Sequence, residues 1–168
     1  MMIKHKTKGF TLIELLVVIA IIGLLSTLAV VALNNARTKS RDAKRLADIK
    51  SIQTGLELYF ADKNTYPVVA SATTLGAAAT GVLCNTTAGF QADGTGCTVT
   101  YMSKVPANPT PVASAEANYT YTSTTAAGAA CTSGTYCTGY QILFALEDAT
   151  AGYTANTDIK ATHAGLSH

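Results

Sequence analysis

The residue with the most chemistry in it is Glu14, a carboxylate inside an otherwise apolar run from Phe10 to Leu33, just after a short basic leader that ends in Lys8-Gly9. An ionised acid at the centre of a membrane helix costs roughly 2.5–3.5 kcal/mol on insertion scales, so it needs either a partner or a route to the headgroups. Glu14 lies only four residues into the run, and an ordinary membrane anchor would tolerate it there. A cation close by would supply that partner, and protonation of Glu14 is the neutral alternative. In a low-dielectric bundle of helices such a pair is weakly screened.

No other constellation offers catalysis. His5 lies in the leader, His163 and His168 lie in what reads as a polar C-terminal tail, and no Ser or Cys has a motif tying it to a base. The glycine-rich stretch Ala92-Asp93-Gly94-Thr95-Gly96 lacks the strand-to-helix setting of a phosphate loop and reads as a turn. No enzyme is expected. Glu147, Asp148 and Asp158 are hard oxygen donors of the kind calcium takes, but their spacing is not that of an EF-hand loop, and solvated surface is the simpler reading. No cofactor and no metal site is therefore assigned.

Four cysteines, Cys84, Cys97, Cys131 and Cys137, are an even number in a domain that reads as exported, which suggests two disulfides with three possible connectivities. Nearest-neighbour pairing is expected, each bond closing a small loop. Zinc fits poorly, because no Cys-x-x-Cys pair occurs.

The elements that must position these residues are legible in outline. From Phe10 to about Asp62 there is no proline, and an all-round apolar pattern gives way to a stripe at Leu46, Ile49, Ile52, Leu56, Tyr59 and Phe60 at helical spacing. One helix of roughly 50 residues at 1.5 Å per residue would reach about 80 Å. Its first half is long enough to span a bilayer and longer than the core of a cleaved secretory signal. Gly23 and Gly55 are weak points in it, each worth up to about 1 kcal/mol against alanine. The helix should stop near Asp62-Lys63-Asn64-Thr65-Tyr66-Pro67, since Pro67 biases Tyr66 away from helix.

Beyond Pro67 the chain is rich in Ala, Thr and Gly, yet three stretches read as strands: 97–101, 118–122 and 140–147. The last alternates, with Tyr140, Ile142, Phe144 and Leu146 on one face. Three antiparallel strands would cover the helical stripe, giving an α+β domain with a half-covered sheet. The segment Val105-Pro106-Ala107-Asn108-Pro109-Thr110-Pro111 reads as the turn-rich link between the first two. Charge is balanced once the leader is set aside: removing Lys4, Lys6 and Lys8 from twelve basic residues leaves nine against ten acidic ones. Arg37, Lys39, Arg41, Lys44, Arg45 and Lys50 crowd just after the apolar run. They could track phosphates, but at that position they would face headgroups or other helices, so DNA is not an expected partner.

The string Lys8-Gly9-Phe10-Thr11-Leu12-Ile13-Glu14-Leu15-Leu16-Val17-Val18 resembles the signal of type IV pilins and type II secretion pseudopilins, and the likeness continues weakly to Pro67. The resemblance implies a pilin-like α+β fold, one long N-terminal helix packed against a small antiparallel sheet. It implies a leader 1–9 removed by a prepilin peptidase between Gly9 and Phe10, with N-methylation of Phe10. Residues 10–33 become the transmembrane and assembly half of the helix, and 34–168 a periplasmic or extracellular head, helical to about residue 63. Phe10 and Glu14 are implied to pair between neighbouring subunits during filament assembly. The implied partners are identical or related subunits, the peptidase, an inner-membrane assembly platform and, before assembly, the lipid bilayer. The implied location is the inner membrane, single-pass with a cytoplasmic N-terminus, and later a periplasmic pseudopilus or a surface pilus. A minor tip pilin acting as an adhesin or in DNA uptake is the alternative. One departure stands out: many family members carry a proline near the middle of the membrane segment, where this chain has Ala29-Val30-Val31-Ala32.

Overall fold

The computed structural model describes residues 9–113, 118–131, 136–149 and 152–167. The leader residues 1–8, and with them His5, fall outside that set, as does His168. The chain divides into two compact units, residues 1–37 and 38–168. Helix α1 runs Leu12–Lys63. It ends where Asn64 enters the left-handed region at φ 54° and its N–H closes onto the Phe60 carbonyl at 2.7 Å, a C-terminal stop that asparagine tolerates better than most residues.

In the second unit eight strands follow among the described residues: β1 Thr73–Thr74, β2 Val82–Cys84, β3 Phe90–Gln91, β4 Thr100–Met102, β5 Thr120–Thr124, β6 Gly139–Phe144, β7 Ile159–Thr162 and β8 Gly165–Ser167. They form two antiparallel sheets, one five-stranded in the order β1-β5-β6-β7-β8 and one three-stranded in the order β3-β2-β4. The α+β reading stands, but the single three-stranded sheet does not. The strand around Tyr101 pairs with β2 and not with the strand around Tyr121. The supposed polar tail is the hairpin β7–β8, which continues the large sheet beyond β6.

The register explains the core. Pairing of Tyr121 with Ile142 and of Ser123 with Tyr140 puts alternate residues of β5 and β6 on the inner face. These join Ile49, Ile52, Leu56 and Tyr59 of α1, Leu83 of β2, and Ile159 and Ala161 of β7 in one buried cluster. Each such aliphatic side chain contributes about 1.5–3 kcal/mol on burial, which is why the helical stripe and the alternating strand find each other. Gly55 sits where α1 passes closest to the small sheet. A Cβ there would lie 3.1 Å from the Met102 side chain and 3.3 Å from that of Leu83, so the residue that reads as a helix weakness is a close-packing position.

Aromatic rings fill much of the rest. Tyr66 stacks on Phe60 and meets Tyr140 edge-on, while Tyr121 meets Phe90 edge-on. Most of these phenols hydrogen-bond: Tyr59 to the Thr86 carbonyl (2.8 Å), Tyr121 to the Pro67 carbonyl (2.9 Å), Tyr66 to Glu57 (2.9 Å) and Tyr119 to Asp48 (3.2 Å).

Candidate functional site

Gly9 and Phe10 precede the helix, and Phe10 is 88% exposed. Thr11 is the N-cap of α1. Its hydroxyl accepts the Glu14 N–H at 3.3 Å, and the Glu14 carboxylate accepts both the Thr11 N–H at 2.8 Å and the Thr11 hydroxyl at 2.7 Å. This reciprocal Thr-x-x-Glu arrangement is a capping box, and it places a negative charge at the positive end of the helix dipole. Glu14 thus has a polar partner within its own chain, one residue from the Phe10 nitrogen. Thr11 was not singled out from the sequence, although its spacing from Glu14 is the capping-box signature.

Behind the cap, the apolar side chains from Leu12 to Leu33 are exposed, from Leu12 and Ile13 through Leu24 and Leu25 to Val31 and Leu33. By length and composition this helix can cross a membrane, and none of its apolar window is buried within the chain. An exposed apolar surface of this extent marks a membrane or interaction segment.

A second cluster of charge occupies the other unit. Arg45 is fully buried and Asp42 is 1% exposed. The Arg45 guanidinium donates to Asp42 (2.6 Å), Asn108 (2.8 Å) and the carbonyls of Pro109 (3.1 Å) and Pro111 (2.7 Å), and lies 2.6 Å from a Glu147 oxygen. Arg41 grips Glu147 with two donors, Nε at 2.7 Å and Nη2 at 2.5 Å. Asp42 accepts the backbone N–H groups of Glu147 (3.0 Å) and Asp148 (2.9 Å). Hydrogen bonds from Arg41 foremost, then from Arg45, hold the Glu147 carboxyl below its ordinary pKa. Nearby, burial raises the Asp48 carboxyl against the pull of Tyr119 and Lys44.

Two expectations change here. Arg41 and Arg45, read as part of a basic surface cluster, are committed to acids and carbonyls inside the fold. Glu147, for which solvated surface was the simpler expectation, is held by two arginines. No group of three or more metal-ligating side chains occurs among the described residues.

Cys84 is bonded to Cys97 and Cys131 to Cys137. The second bond pins the chain leaving α1. The Tyr66 N–H donates to the Cys137 carbonyl (2.8 Å), the Cys137 N–H to the Thr65 hydroxyl (3.0 Å), and the Cys131 N–H to the Ser123 carbonyl (2.9 Å). His163 lies exposed in the β7–β8 turn.

A family model described as the prokaryotic N-terminal methylation motif matches residues 4–30. The chain is 40% identical over 63 residues to type II secretion system core protein G of Pectobacterium carotovorum subsp. carotovorum, covering 38% of this chain and 40% of that one. It is 39% identical over 64 residues to core protein G of Aeromonas hydrophila, covering 38% and 45%. It is also 33% identical over 61 residues to the type IV major pilin protein PilA of Myxococcus xanthus, covering 36% and 28%. The chain therefore matches less than half the length of these curated relatives, and they are named as secretion and pilus proteins, not as enzymes. No solved structure matches it. The chain thus carries the N-terminal methylation motif and, over a little more than a third of its length, is similar to type II secretion core proteins and a type IV pilin.

Proposed function

We propose that this chain is a prepilin, cut between Gly9 and Phe10, methylated on the Phe10 amine and polymerised through its N-terminal helices into a type IV pilus or type II secretion pseudopilus. The observation that carries this is the first part of helix α1, residues 12–33, apolar on every side and exposed among the described residues, with an acid in its first turn. Before assembly the covering medium is the inner membrane, with residues 10–33 spanning it, residues 1–9 in the cytoplasm and residues 34–168 on the far side. After assembly it is the same helix from neighbouring copies. Close packing of such helices replaces lipid contacts, and pairing of the Phe10 amine with Glu14 of a neighbour sets their register. A heterologous contact of this kind does not close on itself and so builds a filament.

The capping box refines the role of Glu14. Cleavage creates a cation one residue before Thr11, so the carboxylate already ordered by Thr11 is in place to receive it from the same chain or from the next one. The test is Glu14→Ala in cells that carry the processing and assembly machinery. The expected result is a chain trimmed to Phe10 that gives few or no filaments. Filaments at the normal level from the trimmed Glu14→Ala chain would refute the role. Relatives named as a core protein and a major pilin favour a repeated shaft subunit over a tip adhesin or a DNA-capturing subunit.

A further inference from the structure

Six basic residues crowd between Arg37 and Lys50 of α1, and the fold sorts them into two groups. Arg41 and Arg45 are committed to Glu147, Asp42 and the carbonyls of Pro109 and Pro111. Arg37, Lys39, Lys44 and Lys50 stay exposed, and none of them makes a salt bridge among the described residues. The acids nearby are already occupied. Asp42 is buried on Arg45 and two backbone N–H groups, and Asp148 accepts the Ala149 N–H. Asp48 is half-buried and accepts the Tyr119 hydroxyl, and Lys44 acts on it only through space. From Asn34 to Leu56 of the helix, every fully exposed charged side chain is therefore positive.

Their place in the chain ties these cations to the apolar run. Arg37 follows Leu33 by four residues, Lys39 by six and Lys44 by eleven, whereas Lys50 follows it by seventeen. A basic group just past a membrane segment is attracted to anionic headgroups, and the attraction fades within a Debye length, about 10 Å at 0.1 M salt. Long lysine and arginine stems let the charge lean back toward that surface.

Placement around the helix narrows the partner further. At about 100° per residue, Lys39 and Lys44 stand about 140° apart, on the two flanks of the stripe buried at Arg45, Ile49 and Ile52. A single neighbouring helix covers one side and would leave one of the two lysines facing away from it. Headgroups surround a membrane helix on every side and can meet both. We propose that Arg37, Lys39 and Lys44 form a band that binds anionic phospholipid headgroups where the helix leaves the bilayer. This rests on the reading of residues 10–33 as a membrane span.

The experiment places the full chain in vesicles of phosphatidylcholine, with and without phosphatidylglycerol. Electron spin resonance reads how far spin-labelled phosphatidylglycerol is preferred over spin-labelled phosphatidylcholine at the protein. Lys4→Gln, Lys6→Gln and Lys8→Gln are present throughout, so that the lysines of the leader do not contribute. At low salt phosphatidylglycerol should be preferred by about threefold or more, and at ~1 M salt, where the Debye length is about 3 Å, the preference should fall toward parity. Adding Arg37→Gln, Lys39→Gln and Lys44→Gln together, all at exposed positions, should remove most of the preference at low salt. Lys50→Gln, six residues farther along the chain than Lys44, should leave it unchanged. The proposal is overturned if the chain enters the vesicles with no lipid preference, if the triple variant keeps the preference, or if Lys50→Gln removes it as fully. A chain that enters neither kind of vesicle would overturn the membrane-spanning reading, and this proposal with it.

Discussion

Residues 12–33 and 46–60 lie on one helix and are both rich in Leu, Ile and Val, but the protein treats them oppositely. The later stretch is amphipathic, and Ile49, Ile52, Leu56 and Tyr59 are buried under β-strands of the same chain. The earlier stretch is apolar all round and is exposed among the described residues. One is covered by the fold, and the other is left exposed among the described residues. The same contrast holds for charge. Asp42 and Arg45 are buried together with every donor used, whereas Glu14 has only its own cap. The buried charges are satisfied by residues distant in sequence, whereas Glu14 is satisfied only by its neighbour Thr11 among the described residues.

The sharpest break of this comparison should come from Arg45→Ala. It leaves Asp42 and Glu147 facing each other without their cation, and removing one partner of a buried ion pair costs about 3–5 kcal/mol. Chemical denaturation should show that loss, whereas Lys44→Ala, at an exposed position next to it, should change little. Leu56→Ala follows, at about 2–5 kcal/mol for a large-to-small core change. Leu24→Ala, the equivalent change in the uncovered stretch, should leave the denaturation midpoint of residues 38–168 unmoved while weakening filament yield. Reduction of Cys131–Cys137, or its replacement by serines, should cost about 2–4 kcal/mol, the usual range for a structural disulfide.

Acid should act through Glu147. Its folded pKa is depressed, so the stability it contributes is fully present above its unfolded value of about 4.3 and is lost as pH falls through the folded pKa. Asp48, raised by burial, works in the opposite sense and gains stability as it protonates. Glu147→Gln should therefore flatten the loss of thermal stability below about pH 4.3, and a profile equally steep in the variant would contradict the assignment. The smallest expected effect is that of metal removal. With Glu147 held by two arginines, chelation of calcium should leave the melting temperature of the domain unchanged, and a large drop would show a site that the described residues do not reveal.

Much of this was legible in the sequence where periodicity is strong. The helix, its stop near Asn64, and strands β5 and β6 follow from apolar spacing and a proline. Short strands such as Thr73–Thr74 and Phe90–Gln91 carry no period to read, and Ile159–Thr162 with Gly165–Ser167 looked polar because the hairpin lies at the edge of its sheet. Arg45 was misread for a different reason. A charged residue reads as surface until the carbonyls of Pro109 and Pro111 and the acid Glu147, distant in sequence, are folded onto it. At the N-terminus, the Thr11 cap is present in the same local wording that draws attention to Glu14, in the Thr-x-x-Glu spacing of a capping box.

The central claim is that the chain is shortened to Phe10 before its apolar helix enters a filament. Intact-mass and N-terminal mass spectrometry of the protein from cells with the processing machinery tests it most directly. The account predicts a chain beginning at Phe10 and heavier by one methyl group on its amine. A chain still carrying residues 1–9, or one beginning beyond Leu33, would contradict it.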